Sequence, residues 1–262
     1  MKKSGVFLVW LAVWALAHAV PAQDKNFVLL NEYSILSGHI EKAKIAFQKG
    51  DLTKCEKDVL FCLKRLPEHQ EAHFILSQIL YKKGEFEKAL EHVQAAEEGY
   101  LKMTEAASVL EQKKMKEQLD SVSSLIDNAR EAAAAYDAAD RRGSCQVERY
   151  GKAAQDAKEK LSKEERLDEM GRGKKISPIP ANYFYFHGNC LFRQKRLPEA
   201  EAQYLKAISA DPRDGEAYNN LINLLFMEKR LDEARNFLSQ AEAHEAVIAP
   251  GLKKAVLEKA GK

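Results

Sequence analysis

The chain has 262 residues, of which 31% are charged, with 41 Lys+Arg against 39 Asp+Glu. So even a balance, with no clustered basic face, argues against a nucleic-acid binder. Charged residues at this density form carboxylate pairs by chance, and none of them sits in a recognisable catalytic motif. G-x-S-x-G elbows and the G-x4-G-K-S/T phosphate loop are both absent. Neither enzyme activity nor a cofactor is expected.

Lys2 and Lys3 precede an apolar run from Gly5 to Ala17 that ends in small residues, the layout of a secretory signal. Cleavage is expected after Ala22, which makes the mature chain periplasmic or secreted. The rival is a retained anchor, the one case in which membrane contact is expected. About 15 helical residues reach only ~22 Å, short of a hydrocarbon core of roughly 30 Å. Two basic residues and no acid lie in residues 1–22, so their removal leaves a neutral chain.

Residues 23–35 carry Phe27, Val28, Leu29, Leu30 and Tyr33 and read as a leading helix or as a helical extension capping the first unit. Two units follow at 36–69 and 70–103, with like residues 34 apart: Ala46/Leu80, Phe47/Tyr81, Gly50/Gly84, Leu52/Phe86, Val59/Val93 and Cys62/Ala96. Gly50 and Gly84 mark the turn inside each unit, where glycine supplies a conformation other residues resist. Pro67 closes the first. A repeat of this length signals supersecondary units that bury their apolar stripes against one another.

Gly84 and Lys195 are 111 residues apart, which is not a multiple of 34, so the middle departs from the repeat. Met115, Leu119, Val122, Ile126, Ala129, Ala133 and Tyr136 form a seam of heptad type in one predicted helix. Val147, Tyr150, Ala154, Ala157, Leu161 and Leu167 mark a second. Together they predict a long helical hairpin over 104–170, either an oversized unit of the stack or a projecting arm. Residues 171–180 are a linker.

From 181 to 248 the period of 34 returns: Phe184/Tyr218, Leu191/Leu225, Lys195/Lys229, Leu197/Leu231, Ala200/Ala234, Tyr204/Leu238 and Ala207/Ala241. Phe184 and Leu191 fall at helical intervals, as do Ala200, Tyr204, Ala207 and Ile208. Gln194-Lys195-Arg196 is a polar turn, Pro198 suits the start of a second helix, and Asp211-Pro212 closes the unit. Residues 249–262 are expected to form a capping helix.

Phe184, His187-Gly188, Leu191, Ala200, Tyr204 and Pro212, echoed by Tyr218, Leu221-Ile222, Leu225, Ala234 and Leu238, resemble the tetratricopeptide repeat. The resemblance implies an all-α solenoid of antiparallel helix pairs, here interrupted by the hairpin. It also implies a scaffold without catalysis, whose first helices line a concave groove that binds a protein or peptide segment.

In that register the groove residues are Phe47, Phe74, Gln78, Tyr81, Tyr185, Asn189, Phe192, Arg193, Asn219, Asn223 and Phe226, with Ile40 and Lys44 nearby. Phe47, Tyr81, Phe192 and Phe226 share one position, a row of apolar anchors or, alternatively, of edge packing. Asn189 and Asn220 match part of a carboxylate-binding pattern in some members. Tyr185 stands where that pattern has a lysine, so the specificity does not carry over. The alternative function is an envelope assembly component that self-associates through the hairpin.

Cys55 and Cys62 lie seven apart on one predicted helix, about 10.5 Å along its axis. A disulfide tolerates a Cα separation of roughly 7 Å, so both are expected in the core. Cys190 lies within a helix, and Cys145 at the hairpin tip is the candidate for an intermolecular bridge. His69 and His73 have helical spacing but no H-E-x2-H signature, while His39 and His92 stand alone, so no metal is expected.

Overall fold

The computed structural model describes residues 25–141, 155 and 178–259. The expected signal sequence, Cys145, the expected second hairpin arm apart from residue 155, and most of the linker lie outside the described residues. Among the described residues there are helices and no strands: α1 (Lys25–Gln48), α2 (Leu52–Arg65), α3 (Gln70–Lys83), α4 (Phe86–Arg141), α5 (Ala181–Arg193), α6 (Leu197–Ala210), α7 (Gly215–Met227), α8 (Leu231–Ala243) and α9 (Pro250–Lys259). The chain divides into two compact units, Met1–Thr104 with Ser177–Lys262, and Glu105–Ile176.

In the first unit α1 packs on α2, α5 on α6 and α7 on α8. The helix ends follow from local chemistry. The Asp51 side chain accepts from the Lys54 backbone N–H at 3.0 Å, and Asp214 accepts from Glu216 and Ala217 at 3.0 and 3.1 Å. Pro198 sits in the first turn of α6. Pro67 and Pro212 follow the extended C-caps Leu66 and Asp211, where they stop the chain from continuing as helix.

Each helix pair closes through a residue in the left-handed region: Gly50, Gly84, Lys195 and Lys229, with φ of 77°, 82°, 61° and 63°. The first two are glycines, for which this conformation carries no Cβ penalty. The lysines bear one of roughly 1 kcal/mol each. Exchanging Lys195 and Lys229 for glycine is therefore expected to raise stability by about 1 kcal/mol per site. A urea midpoint that fell in the double variant would contradict this account.

The core runs along the crossing faces. Ala43, Cys55, Val59, Cys62, Ala89, Val93, Ala200, Ala207, Ala234 and Ala241 are wholly buried. Leu191 and Leu225, the paired residues of the C-terminal repeats, are 2% and 0% exposed. Gly188 has no room for a side chain, since a Cβ there would lie 2.6 Å from the Tyr204 ring.

Residues 25–35 are the first turns of α1, a helical extension of the first unit, because no residue there breaks the backbone ladder. Likewise the second helix of unit 70–103 and the first hairpin arm are a single helix of 56 residues, α4. In its continuation, Met115 and Leu119 of the heptad seam are 38% and 56% exposed.

The repeats on either side of residues 105–176 join directly. His187 Nδ1 of α5 lies 2.8 Å from Glu97 Oε1 of α4, a pair almost removed from water. The Gln194 side chain donates to the Phe86 carbonyl at 3.0 Å. Tyr183 stacks on Phe74 with centroids 4.2 Å apart. The stack therefore resumes at α5 in register with α3, whatever the length of chain between them.

Candidate functional site

The first helix of each pair contributes to a series of cavities. The best formed, about 370 Å³, is lined by Tyr81 of α3, by Tyr185, Asn189, Phe192 and Arg193 of α5, by Tyr204 of α6, and by Asn220 and Asn223 of α7. Its hydrogen bonding is directional. Asn189 Oδ1 accepts both the Tyr204 hydroxyl at 2.9 Å and Asn220 Nδ2 at 2.7 Å. With its two oxygen lone pairs engaged, Asn189 has only its N–H groups left to offer. Burial pushes the Tyr185 and Tyr204 phenols up, so both remain protonated donors at neutral pH.

A second cavity, about 370 Å³, lies between Lys44, Glu71, Phe74, Ile75, Gln78, Pro180, Asn182 and Tyr183. A third, about 360 Å³, is walled by α1 residues from Tyr33 to Lys44, by His69, Gln70 and Glu71 at the start of α3, and by Met103. Lys44 and Glu71, an ion pair at 2.8 Å, border both.

Six of the groove residues read from sequence (Tyr81, Tyr185, Asn189, Phe192, Arg193 and Asn223) meet in the first cavity. Phe74 and Gln78 line the second. Others are placed differently. Asn219 faces the C-terminal segment: its Nδ2 donates to Gly215 O at 2.6 Å and Val247 O at 3.0 Å, and its Oδ1 accepts from Ala249 N–H at 2.9 Å. A Cβ on Gly215 would lie 2.5 Å from Val247 O, so glycine there lets that segment lie close. Ile40 is core, 3% exposed.

The shared aromatic position is half-buried, and cations approach three of its four rings, those of Phe47, Tyr81 and Phe226. Lys82 Nζ lies 4.0 Å above Phe47, the Arg193 guanidinium 6.0 Å from Tyr81 and 4.6 Å from Phe86, and Lys259 Nζ 4.8 Å from Phe226. Each contact is worth about 0.5–1 kcal/mol when solvent-exposed, and each hides a ring face. The reading as edge packing therefore fits Phe47 and Phe226 better than that of open anchors. Tyr204 and Tyr183 were missed as cavity residues; Tyr204 reads as core from its repeat position, and its hydroxyl alone reaches the cavity wall.

The histidines also regroup. His73 does not pair with His69. Its Nδ1 lies 2.9 Å from His92 Nδ1, and its Nε2 lies 2.7 Å from the Pro67 carbonyl. His39, read as isolated, contacts Asp58 at 2.9 Å. Among the described residues no group of three or more His, Cys, Asp or Glu could hold a metal ion.

The family model for the tetratricopeptide repeat matches residues 40–100, from the end of α1 into α4, and 185–247, from within α5 to just past α8. Solved structures are similar to the chain at low identity. A tetratricopeptide-repeat protein of the thermophile Thermus thermophilus is 18% identical over 85% of this chain and 97% of its own, with a TM-score of 0.35. PilF of Pseudomonas aeruginosa is 16% identical over 82% and 78%, with a TM-score of 0.31. The TPR2AB domain of yeast Sti1 in its pHSP90 complex is 14% identical over 81% and 91%, with a TM-score of 0.24. A search of curated proteins finds no match to the chain.

Proposed function

Because both matched stretches are tetratricopeptide repeats, we propose that the chain is an exported, non-catalytic scaffold that takes up a segment of a partner protein in its groove. The observation that carries the reading is the cavity between α3, α5 and α7. There the Asn189 oxygen is engaged by Tyr204 and Asn220 and its amide also meets Tyr185, beside the exposed Asn223 amide and the rings of Tyr81 and Phe192. Amides that fix register beside apolar surface are what recognition of an extended backbone requires. Export rests on residues 1–22 alone, and among the described residues no helix is long and apolar enough to cross a membrane.

Crosslinking in the native envelope would identify the partner, and the captured segment can then be titrated into purified protein. Asn223→Ala is expected to weaken binding about ten-fold, the worth of one or two hydrogen bonds, with helicity unchanged. Adding Asn189→Ala should abolish capture, with some loss of stability because Tyr204 and Asn220 lose their acceptor. Undiminished affinity in the double variant would end this reading.

One observation favours the alternative, an envelope component that self-associates through the insertion: Met115 and Leu119 leave apolar surface open at heptad positions. Light scattering of the protein with and without residues 105–170 separates the two, since a monomer in both cases removes self-association.

A further inference from the structure

The residue after each shared aromatic occupies one register along the first helices: Gln48, Lys82, Arg193 and Met227 in α1, α3, α5 and α7. Lys82 and Arg193 each reach back to the ring of the preceding unit, Phe47 and Tyr81, at 4.0 and 6.0 Å. Lys259 of α9 does the same to Phe226 at 4.8 Å. All three cations are exposed. Among the described residues none of them forms an ion pair with a carboxylate, whereas basic residues nearby do, Lys83 with Glu56 and Lys253 with Glu242.

The row has one apolar place. Met227 stands where Lys82 and Arg193 stand and is 58% exposed. Among the described residues no cation sits over the Phe192 ring. Along the groove the order is therefore cation, cation, apolar, cation. Acids beside the row are already engaged. Glu71 pairs with Lys44 at 2.8 Å, Glu228 with Arg230 at 3.1 Å and Glu258 with Lys254 at 3.8 Å. Glu216 meets the Tyr185 hydroxyl, two turns of α5 from Arg193, about 12 Å along the axis.

A cation held over a ring has already given up part of its rotamer freedom, so a carboxylate can pair with it at less ordering cost. Neighbouring helices pack roughly 8–10 Å apart, a step that an extended chain covers in about three residues at ~3.3 Å each. We propose that the groove selects an extended acidic segment with carboxylate side chains about three residues apart at Lys82 and Arg193. A large apolar residue follows at Met227 and Phe192, and a third carboxylate at Lys259. The groups read are internal side chains, and no chain terminus is required. Asn223, in the cavity beside Phe192 and Arg193, is placed to hold the backbone between them.

The proposal rests on the groove reading, yet it is tested without the natural partner. A fluorescent probe of ten residues, acetylated and amidated, carries glutamate at its first, fourth and tenth positions, leucine at its seventh and serine elsewhere. The full chain is titrated at low salt with this probe, with its glutamine counterpart, and with an isomer in which the leucine and the second glutamate are exchanged. Three exposed ion pairs at about two- to three-fold each predict that the acidic probe binds about ten-fold more tightly than the glutamine probe, an advantage that shrinks as salt is added. The isomer, equal in charge, should bind about five-fold more weakly than the acidic probe. Combining Lys82→Gln, Arg193→Gln and Lys259→Gln should bring the acidic and glutamine probes to within about two-fold of each other. Equal binding of those two probes by the parent, or saturable binding of neither, overturns the proposal without recourse to a variant. So does an advantage that survives the triple variant, or an isomer that binds as well as the acidic probe, since attraction would then follow bulk charge. Sedimentation with phosphatidylglycerol vesicles that needs the three cations when probe binding does not would make the row a membrane contact, and overturns it too. Failure on any of these counts leaves the Asn223→Ala test standing, because that test is read with whatever segment crosslinking captures. Undiminished affinity of the Asn189 and Asn223 double variant strikes the groove reading instead.

Discussion

Gly99→Ala is expected to lower stability by about 2–3 kcal/mol, while Gly38→Ala in the same protein raises it by about 0.5–1 kcal/mol. Both glycines lie inside helices, where alanine is intrinsically better by up to about 1 kcal/mol. Space decides the sign. A Cβ on Gly38 would meet nothing within 4 Å, whereas one on Gly99 would fall closer than 3 Å to the Glu68 carbonyl oxygen and 3.3 Å from Gln70 N and Cβ. That carbonyl is backbone and is already held by the Tyr33 hydroxyl, so it has nowhere to retreat. The clash would push α4 away from the turn between α2 and α3 and strip cover from the buried His69 and Gln70. Urea titrations of the two single variants, followed by circular dichroism, check the pair. A Gly99→Ala midpoint at or above that of the parent would mean that α4 does not lie against the turn as described.

The repeat was legible because its signals are local. Alanines and cysteines at crossing points, prolines just past helix ends and a fixed period all survive without any knowledge of the partner surface. The same logic located the inner turn of every pair, including Lys195 and Lys229, where no glycine marks it. What could not be read were contacts between residues far apart with no shared period. The resumption of the stack at α5 depends on His187 meeting Glu97 and on Tyr183 meeting Phe74, and neither pair has a counterpart elsewhere in the chain. Asn219 and Asn223 show the limit within one helix. They are a turn apart on α7, yet the fold of the segment at Val247 claims the first as a clasp and leaves the second open. The sequence left the aromatic row open between anchors and edge packing, because the covering cations Lys82 and Arg193 come from the next unit or from the one after the insertion.

Lowering the pH from 7.5 to 5.0 is expected to cost the folded protein about 2 kcal/mol through His69 alone, and more with His73 and His92. Burial pushes His69 down to about 4 from 6.5 and lowers the other two as well. An unfolded chain therefore binds protons at pH values where the folded one refuses them. The sign follows: this stability is fully present above pH 6.5 and is lost as the pH falls toward the folded value, the whole His69 contribution being on the order of 3 kcal/mol. His73 and His92 add a second source. With His73 Nε2–H given to Pro67 O, its Nδ1 must accept the His92 Nδ1–H, so the 2.9 Å contact exists only while the pair shares a single proton there. Protonating both sets two N–H groups against each other. Glu32, Glu85, Glu199 and Glu233, held below 4.5 by hydrogen bonds from Arg65, Lys88, Arg196 and Arg230, act in the same direction, but most of their loss falls below pH 5.0. His69→Asn keeps a capping oxygen for α3 but cannot titrate, so its urea midpoint should fall much less over the same interval. Should the variant lose as much stability as the parent between pH 7.5 and 5.0, the acid sensitivity would have to originate elsewhere.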